Sequence, residues 1–432
     1  MMKNKKINIV TLGCSKNTVD SEKLLRQLSE GGFYVTWDRD NSGADTVIIN
    51  TCGFIGDAKE ESIDTILKFV RAKEKGNIKN LYVMGCLSER YKEQLIAEIP
   101  EVDKYFGVNN IMDILEETGV SYKNSLLTER ILTSPGHYAY LKLSEGCDRT
   151  CAFCAIPLIR GKYISRPVEE LVKEAAGLAD SGVKELILIA QDLSYYGLDL
   201  YRKNKLPDLL EELLKLNSFK WIRLHYLYPA GFPEVLLRQI RDYPQICKYI
   251  DIPIQHISDN MLKMMKRSYG RRDAEELLYH LKDQLPDAAF RTTLIAGHPG
   301  ETENDYLELK SFISEFRFDR LGVFAYSHEE DTYSYLNYKD DVPDDVKESR
   351  VSELMEIQQT ISAEKNESLK GKVLKVVIDR NEDEYYCGRT EYDSPDVDQE
   401  VLIPVRYDLS PGNFYNIQIV DSAEFDLLGE PV

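Results

Sequence analysis

The chain has 432 residues, 43% of them hydrophobic, and carries 54 Lys plus Arg against 73 Asp plus Glu, a net charge of −19. That length predicts two or three domains with substantial cores, and the acidic balance argues against a general affinity for nucleic acid, which needs basic surface to displace counterions. No run of apolar residues is long enough for a membrane span, and the start MMKNKKINIVTLGCSKN, broken by Lys16 and Asn17 and lacking a small-residue cleavage site, reads as a first strand of a cytoplasmic protein rather than a signal peptide.

From the N-terminus, short apolar runs alternate with helical patterns. INIVTLGC, DTVIINTCGF and NLYVMGCLS read as strands; DSEKLLRQLSEGG, AKEESIDTILKFVRAKEKG and ERYKEQLIAEIP read as the helices between them. That order predicts a parallel sheet covered by helices. Each of the three strands ends in a cysteine: Cys14, Cys52 and Cys86. Ligands of open α/β sheets collect outside the carboxyl ends of the strands, so these three are expected to meet in space. The alternative is three separate buried cysteines, since free cysteine is often buried.

Residues 111–136 have weak periodicity and end in Pro-Gly, as a linker does. YAYLKLSEGC then begins a second strand–helix series, continued by ELILIAQD, WIRLHYL, YIDIPIQH, FRTTLIAGHPG and RLGVFAYS. Six parallel strands fit an open partial barrel, with active residues at the strands' C-terminal ends. DDVPDDVKESRVSELMEIQQTISAEKNESLKG reads as an amphipathic helix broken near Gly371, and the short alternating strands after it predict a small all-β barrel. The expected fold is therefore a multidomain α/β protein: an N-terminal parallel sheet, a central partial barrel of six strand–helix units, and a terminal β-barrel.

The eight cysteines include three packed into CDRTCAFC: Cys147, Cys151 and Cys154. Clustered cysteines in a large chain of this kind bind metal or do redox chemistry more often than they form disulfides. Four thiolates normally hold the four irons of a 4Fe–4S cluster, so three leave one iron open to a small ligand. A zinc site of three cysteines and a histidine is the rival, but no histidine follows near the motif. Strand-end polar residues are candidates for holding such a ligand: Gln191, Asp192, Arg223, Gln255 and His256. Each could equally be a structural hydrogen bonder. Gly297 and Gly300, in LIAGHPGET, would let backbone approach a ligand closely.

The spacing C-x-x-x-C-x-x-C just after a strand resembles the radical S-adenosylmethionine superfamily. In that superfamily the methionyl group chelates the open iron, and the backbone at the position of Phe153 commonly contacts adenine. More specifically, TLGCSKNTVDSE, NTCGFIGDAKEESI, GCLSERY, SEGCDRTCAFCAIPLIRGKYISRP, IDIPIQHISDNMLKMMKR, TTLIAGHPGET and GVFAYSHEEDT resemble the methylthiotransferases over essentially the whole chain. The resemblance implies an N-terminal methylthiotransferase domain (1–125), a radical domain (133–365) and a terminal barrel of the TRAM, OB-like type (366–432). It also implies two 4Fe–4S clusters. Cys147, Cys151 and Cys154 would hold the radical-generating one, and Cys14, Cys52 and Cys86 a sulfur-carrying one. S-Adenosylmethionine would serve as methyl donor and radical source, with no catalytic side chain beyond the cluster ligands. An electron donor such as flavodoxin or ferredoxin, and a sulfur source, are the further partners implied. Cys247 and Cys387 are left as non-ligands.

GCSKNTVDSE and NTCGFI…ES resemble the RimO type, which modifies an aspartate β-carbon of small-subunit ribosomal protein twelve, free or in the small ribosomal subunit. The MiaB type, which modifies a tRNA adenosine, carries glutamine and methionine after the first cysteine instead. Ser15 and His298 depart slightly from the RimO pattern. From Gly371 onward, fourteen acidic residues face five basic ones, which suits a basic protein partner better than tRNA. A non-catalytic iron–sulfur electron carrier is the alternative of a different class, and it would need neither a second three-cysteine set nor a glycine-rich cofactor loop.

Overall fold

The computed structural model describes residues 5–40 and 42–432 and divides the chain into two compact units. The first runs to Ser134 and takes in Tyr140–Arg149 and Cys154–Gly177; the second comprises Pro135–Ala139, Thr150–Phe153 and Leu178–Val432.

The first unit is built on a five-stranded sheet in the order Tyr34–Trp37, Lys6–Thr11, Thr46–Thr51, Asn80–Gly85, Lys104–Tyr105. All neighbours are parallel. Thr46–Thr51 is buried along its whole length, as a parallel strand covered on both faces must be. Its side chains alternate between two cores. Val47 and Ile49 pack with Ile66, Phe69 and Val70 of the helix Gly56–Glu74, while Ile48 packs with Leu24, Leu25 and Leu28 of the helix Ser15–Glu30.

The two edge strands escape the sequence reading because they are short, four and two residues. The expected linker is also more ordered than its pattern suggests. Ile111–Thr118 is a helix whose Ile114 and Leu115 enter the second of these cores. Farther on, the Arg130 side chain is fully buried against Glu22 and Glu174. Three buried charged side chains fix this segment, and hydrophobic periodicity carries no trace of them.

The second unit contains the strands expected of a partial barrel: Glu185–Ile189, Trp221–Leu224, Tyr249–Asp251, Ala289–Ala296 and Arg320–Ala325, with one that starts at Tyr138. They form two three-stranded sheets; Trp221–Leu224 pairs in parallel with Glu185–Ile189, and Ala289–Ala296 pairs in parallel with both Tyr249–Asp251 and Arg320–Ala325. The helix Asp344–Glu367 follows, and after Gly371 five strands close into a barrel: Val373–Glu382, Tyr385–Thr390, Val401–Pro404, Leu427–Pro431 and Phe414–Ser422. Val376, Ile378, Val401, Ile403, Ile417, Ile419 and Leu427 fill it.

A buried charge network ties that barrel to the strands. Glu185 accepts from Arg223 Nε at 2.8 Å and from Arg389 Nη2 at 2.8 Å, and Arg389 also holds Asp379, which pairs with His137 at 2.7 Å. Burial alone would raise the Glu185 carboxyl; the two guanidinium groups outweigh it and hold it ionised. Removing one partner from such a pair leaves an uncompensated buried charge and costs about 3–5 kcal/mol. Arg389→Met should therefore lower the unfolding midpoint markedly. Arg380→Met, which breaks the half-exposed pair with Glu400, should cost under about 1 kcal/mol. Chemical unfolding of both variants checks the contrast, and equal losses would contradict it.

Candidate cluster and cofactor sites

Cys14 directly precedes the helix Ser15–Glu30, Cys52 directly follows the strand Thr46–Thr51, and Cys86 opens the helix Cys86–Glu98. All three therefore lie at the carboxyl edge of the parallel sheet, where the strand-to-helix turns converge. The turns are close: a Cβ on Gly13 would fall 2.7 Å from Cys52 Cβ and 2.9 Å from its sulfur. Only glycine can precede Cys14 at that separation.

Arg160 lies against one of the three thiols, Cys86. Its guanidinium donates to Asn17 Oδ1 at 2.6 Å, to Glu145 at 2.7 Å and to Asp20 at 3.3 Å, and Nη2 lies 3.7 Å from Cys86 sulfur. Lys142 bonds the same two carboxylates. The surroundings separate the thiols. Burial pushes Cys86 up to about 12; Arg160 opposes the rise, and Cys14 and Cys52 nearby add to it. Burial also raises Cys52. At Cys14 burial acts the same way, but Lys16, Arg160 and the backbone N–H groups of Asn17 and Lys16 overcome it and lower the thiol below its ordinary value of 9.0. Cys14 is also exposed to solvent.

Among the described residues no three His, Cys, Asp or Glu side chains are placed to hold a single metal ion. A zinc ion would draw its thiolates to about 2.3 Å from one point. In a 4Fe–4S cluster each thiolate takes a different iron, so the thiols stand farther apart. Three neighbouring thiols with a guanidinium against one sulfur fit that group.

In the cysteine-rich loop all three sulfurs are partly exposed. Within the first unit, Cys147 donates its N–H to Gly161 O at 3.0 Å, and the N–H of Arg149 reaches Cys147 sulfur at 3.4 Å. Within the second unit, Arg267 Nη1 donates to Cys151 sulfur at 3.2 Å, while the same guanidinium bonds Tyr269 Oη and Pro253 O and lies over the Tyr228 ring. Hydrogen bonds to a ligating sulfur orient it and tune its cluster. Neither Arg160 nor Arg267 emerges from the sequence reading, although LIRG stands six residues from Cys154 and MMKR sits in a quoted motif.

The cofactor candidates divide. Phe153 and Gln191 are partly exposed, and Asp192 is buried just past a strand. Gln255 has φ +69, a strained backbone for a residue with a side chain and one that clusters at functional sites. His256 is fully buried; its Nδ1 accepts the N–H groups of Ile257 and Ser258, and its Nε2 faces Glu301 at 3.6 Å.

Arg223 is a correction. It is fully buried, and its guanidinium is committed to Glu185 and to the carbonyls of Glu391 and Thr390. It binds the barrel and offers nothing to a cofactor. The glycine loop is a partial correction. The Gly297 N–H donates to Glu301 and the Gly300 N–H to Asp341. A Cβ would meet Lys347 at 2.3 Å or Met264 at 2.7 Å. Packing against the protein accounts for both glycines. Glu301, held by Arg350 at 2.7 Å, is the brace of this loop.

Three family models match successive parts of the chain: the uncharacterized protein family UPF0004 at residues 6–107, the radical SAM superfamily at 141–313 and the TRAM domain at 371–432. The ribosomal protein uS12 methylthiotransferase RimO of Bacteroides fragilis is 54% identical over 430 residues, covering 99% of this chain and 100% of that protein. Its counterpart in Flavobacterium johnsoniae is 53% identical over 432 residues, covering 100% and 99%. This chain belongs to the RimO family. Among solved structures, the radical S-adenosylmethionine methyltransferase TsrM from Kitasatospora setae shares the fold with TM-score 0.54 and 14% identity over 74% of this chain and 72% of that one. The cobalamin-dependent radical enzyme OxsB does so with TM-score 0.52 and 15% identity over 83% and 58%. The RimO family assignment takes in the chain from end to end, and no helix among the described residues is long and apolar enough to cross a membrane.

The thiols of the metal-free protein should react in a set order. Thiolate is the nucleophile, and its fraction rises as pH approaches the thiol's own pKa. Exposed Cys14, held below 9.0, should alkylate with iodoacetamide near pH 8, while Cys86, near 12 and buried, stays unlabelled. Peptide mass spectrometry checks this; Cys86 labelled as fast as Cys14 would contradict the arrangement around Arg160.

Proposed function

We propose that this protein is a cytoplasmic methylthiotransferase that replaces a β-carbon C–H of an aspartate in small-subunit ribosomal protein uS12 by C–SCH3. The observation that carries the proposal is the presence, in one RimO-family chain, of the C-x-x-x-C-x-x-C loop together with a second three-thiol set at a sheet edge. When bound, a 4Fe–4S cluster with an open iron supplies the electron that cleaves S-adenosylmethionine to a 5′-deoxyadenosyl radical, and a second such cluster carries the sulfur to be transferred.

The chain's own residues would do the following. Cys147, Cys151 and Cys154 hold the first cluster, with Arg267 bonding one sulfur. Cys14, Cys52 and Cys86 hold the second, with Arg160 against Cys86. Phe153, Gln191, Asp192, Gln255 and His256 contribute to the S-adenosylmethionine pocket at the strand ends. Hydrogen abstraction demands no proton-transfer group, which agrees with the lack of a Ser-His-Asp or Cys-His pairing in the reading of the sequence. A flavodoxin or ferredoxin supplies electrons, and a separate donor supplies sulfur.

The full names of the RimO relatives favour uS12 over a tRNA adenosine, and so does charge. The barrel's Glu382, Asp383 and Glu384 are exposed and acidic, and an acidic surface speeds association with a basic partner at low salt. Reversing these three charges should weaken binding to uS12, with the loss shrinking as salt rises; unchanged binding at low salt, or tight binding of wild type to bare tRNA, would count against it.

Division of labour between the two sets is separately testable. Replacing Cys147, Cys151 and Cys154 with alanine should leave about half the reconstituted iron, since the thiolate sets bind independently, and should abolish 5′-deoxyadenosine formation. Cys52→Ala should spare that cleavage and abolish sulfur insertion. Cleavage lost in a folded Cys52→Ala protein would contradict the assignment.

A further inference from the structure

A short helix in the second unit, Tyr333–Asn337, exposes three large side chains: Tyr333 at 42%, Tyr335 at 41% and Leu336 at 66%. Its buried side is pinned to the cysteine-rich loop and to the glycine loop. The Ser334 N–H donates to Ala152 O at 2.8 Å, and Ala152 directly follows Cys151. The Ser334 hydroxyl meets His298 Nε2 of the glycine loop at 2.9 Å. Tyr338, just past the helix, closes a third tie to Met264 O at 3.3 Å. His298 itself is fully buried, and burial lowers it to about 4, so the link is between neutral groups.

The helix sets Tyr333, Tyr335 and Leu336 side by side at the surface and is fastened from beneath by these hydrogen bonds; clustered exposed apolar side chains of this kind mark interaction sites. Its flanks are acidic. Seven acidic residues and one basic residue lie between Phe324 and Asp345, and Glu330, Asp331, Asp341, Asp344 and Asp345 are exposed. Lys266 lies over the Tyr333 ring at 3.7 Å, which leaves Tyr335 and Leu336 as the open part of the face.

We propose that the helix Tyr333–Asn337 is the seat on which the body of a basic protein substrate rests while its target side chain enters the radical site. This rests on the methylthiotransferase reading above. A radical must be spent on an atom in van der Waals reach of where it forms, so the substrate has to be held beside the cysteine loop. This helix is one hydrogen bond from that loop. The apolar centre and acidic rim suit a segment of a ribosomal protein, whose basic residues serve RNA binding; a nucleic-acid substrate would call for a basic rim.

The probe is purified uS12, with the reconstituted full-length enzyme. Leu336→Ala, at an exposed position, should weaken binding about tenfold, the loss of one apolar anchor, at every salt concentration. Asp331→Lys with Asp345→Lys should weaken it at low salt and recover at high salt. Iron content and substrate-free 5′-deoxyadenosine formation should stay at wild-type levels in both. Wild-type affinity and methylthiolation of uS12 by both variants would overturn the inference while leaving the enzymatic reading intact, as would a loss of affinity for tRNA instead of uS12. Failure of the wild-type enzyme itself to methylthiolate uS12 would overturn that reading first, and the inference with it.

Discussion

Arg160 is the interaction on which the first unit's site depends. Taking a guanidinium out of water costs several kcal/mol unless charges and acceptors surround it, and this one is met by Asp20, Glu145 and Asn17 before it reaches Cys86. Lys142 shares the two carboxylates, so two cations balance two anions. Burial alone would raise the Glu145 carboxyl, yet Lys142 and Arg160 hold it well below the usual carboxylate range. The balance has a consequence for chemistry. With these four side chains mutually neutralised, the remaining charge beside Cys14 is that of Lys16 and of the thiolates themselves.

The position of Arg160 in the chain matters as much as its partners. It stands on the short helix Ile156–Arg160, directly after the cysteine-rich loop. The segment that supplies one set of thiols therefore also supplies the cation that braces the other. Asn17, whose side chain also bonds Leu12 O and Thr51 O, holds the turns after the strands Lys6–Thr11 and Thr46–Thr51 in register with it. An electron carrier would need none of this second arrangement.

Much of the plan is legible in the residues. Alternating strand and helix patterns give the parallel sheet, and from it the meeting of Cys14, Cys52 and Cys86, because strand ends on one edge of such a sheet are neighbours by topology. The six central strands and the terminal barrel follow from the same kind of pattern. What is not legible is pairing between distant charged side chains. Arg223 looks like a strand-end ligand until Glu185 and the carbonyls of Thr390 and Glu391 are seen to surround it. Arg130 anchors a segment that reads as loose, and Glu301 with Arg350 braces a loop that reads as a ligand cradle. Hydrophobic period reports which face is buried; it says nothing about which buried ion meets which.

At the centre of the proposed function, two separately placed three-thiol sets serve a single reaction on one ribosomal protein. Mass spectrometry of uS12 from cells with and without this gene tests it most directly. The expected result is a methylthio group on one aspartate of uS12, present when the gene is intact, absent when it is deleted, and not restored by a Cys52→Ala or Cys151→Ala copy. An unmodified uS12 in both strains, or modification that survives deletion, would contradict it.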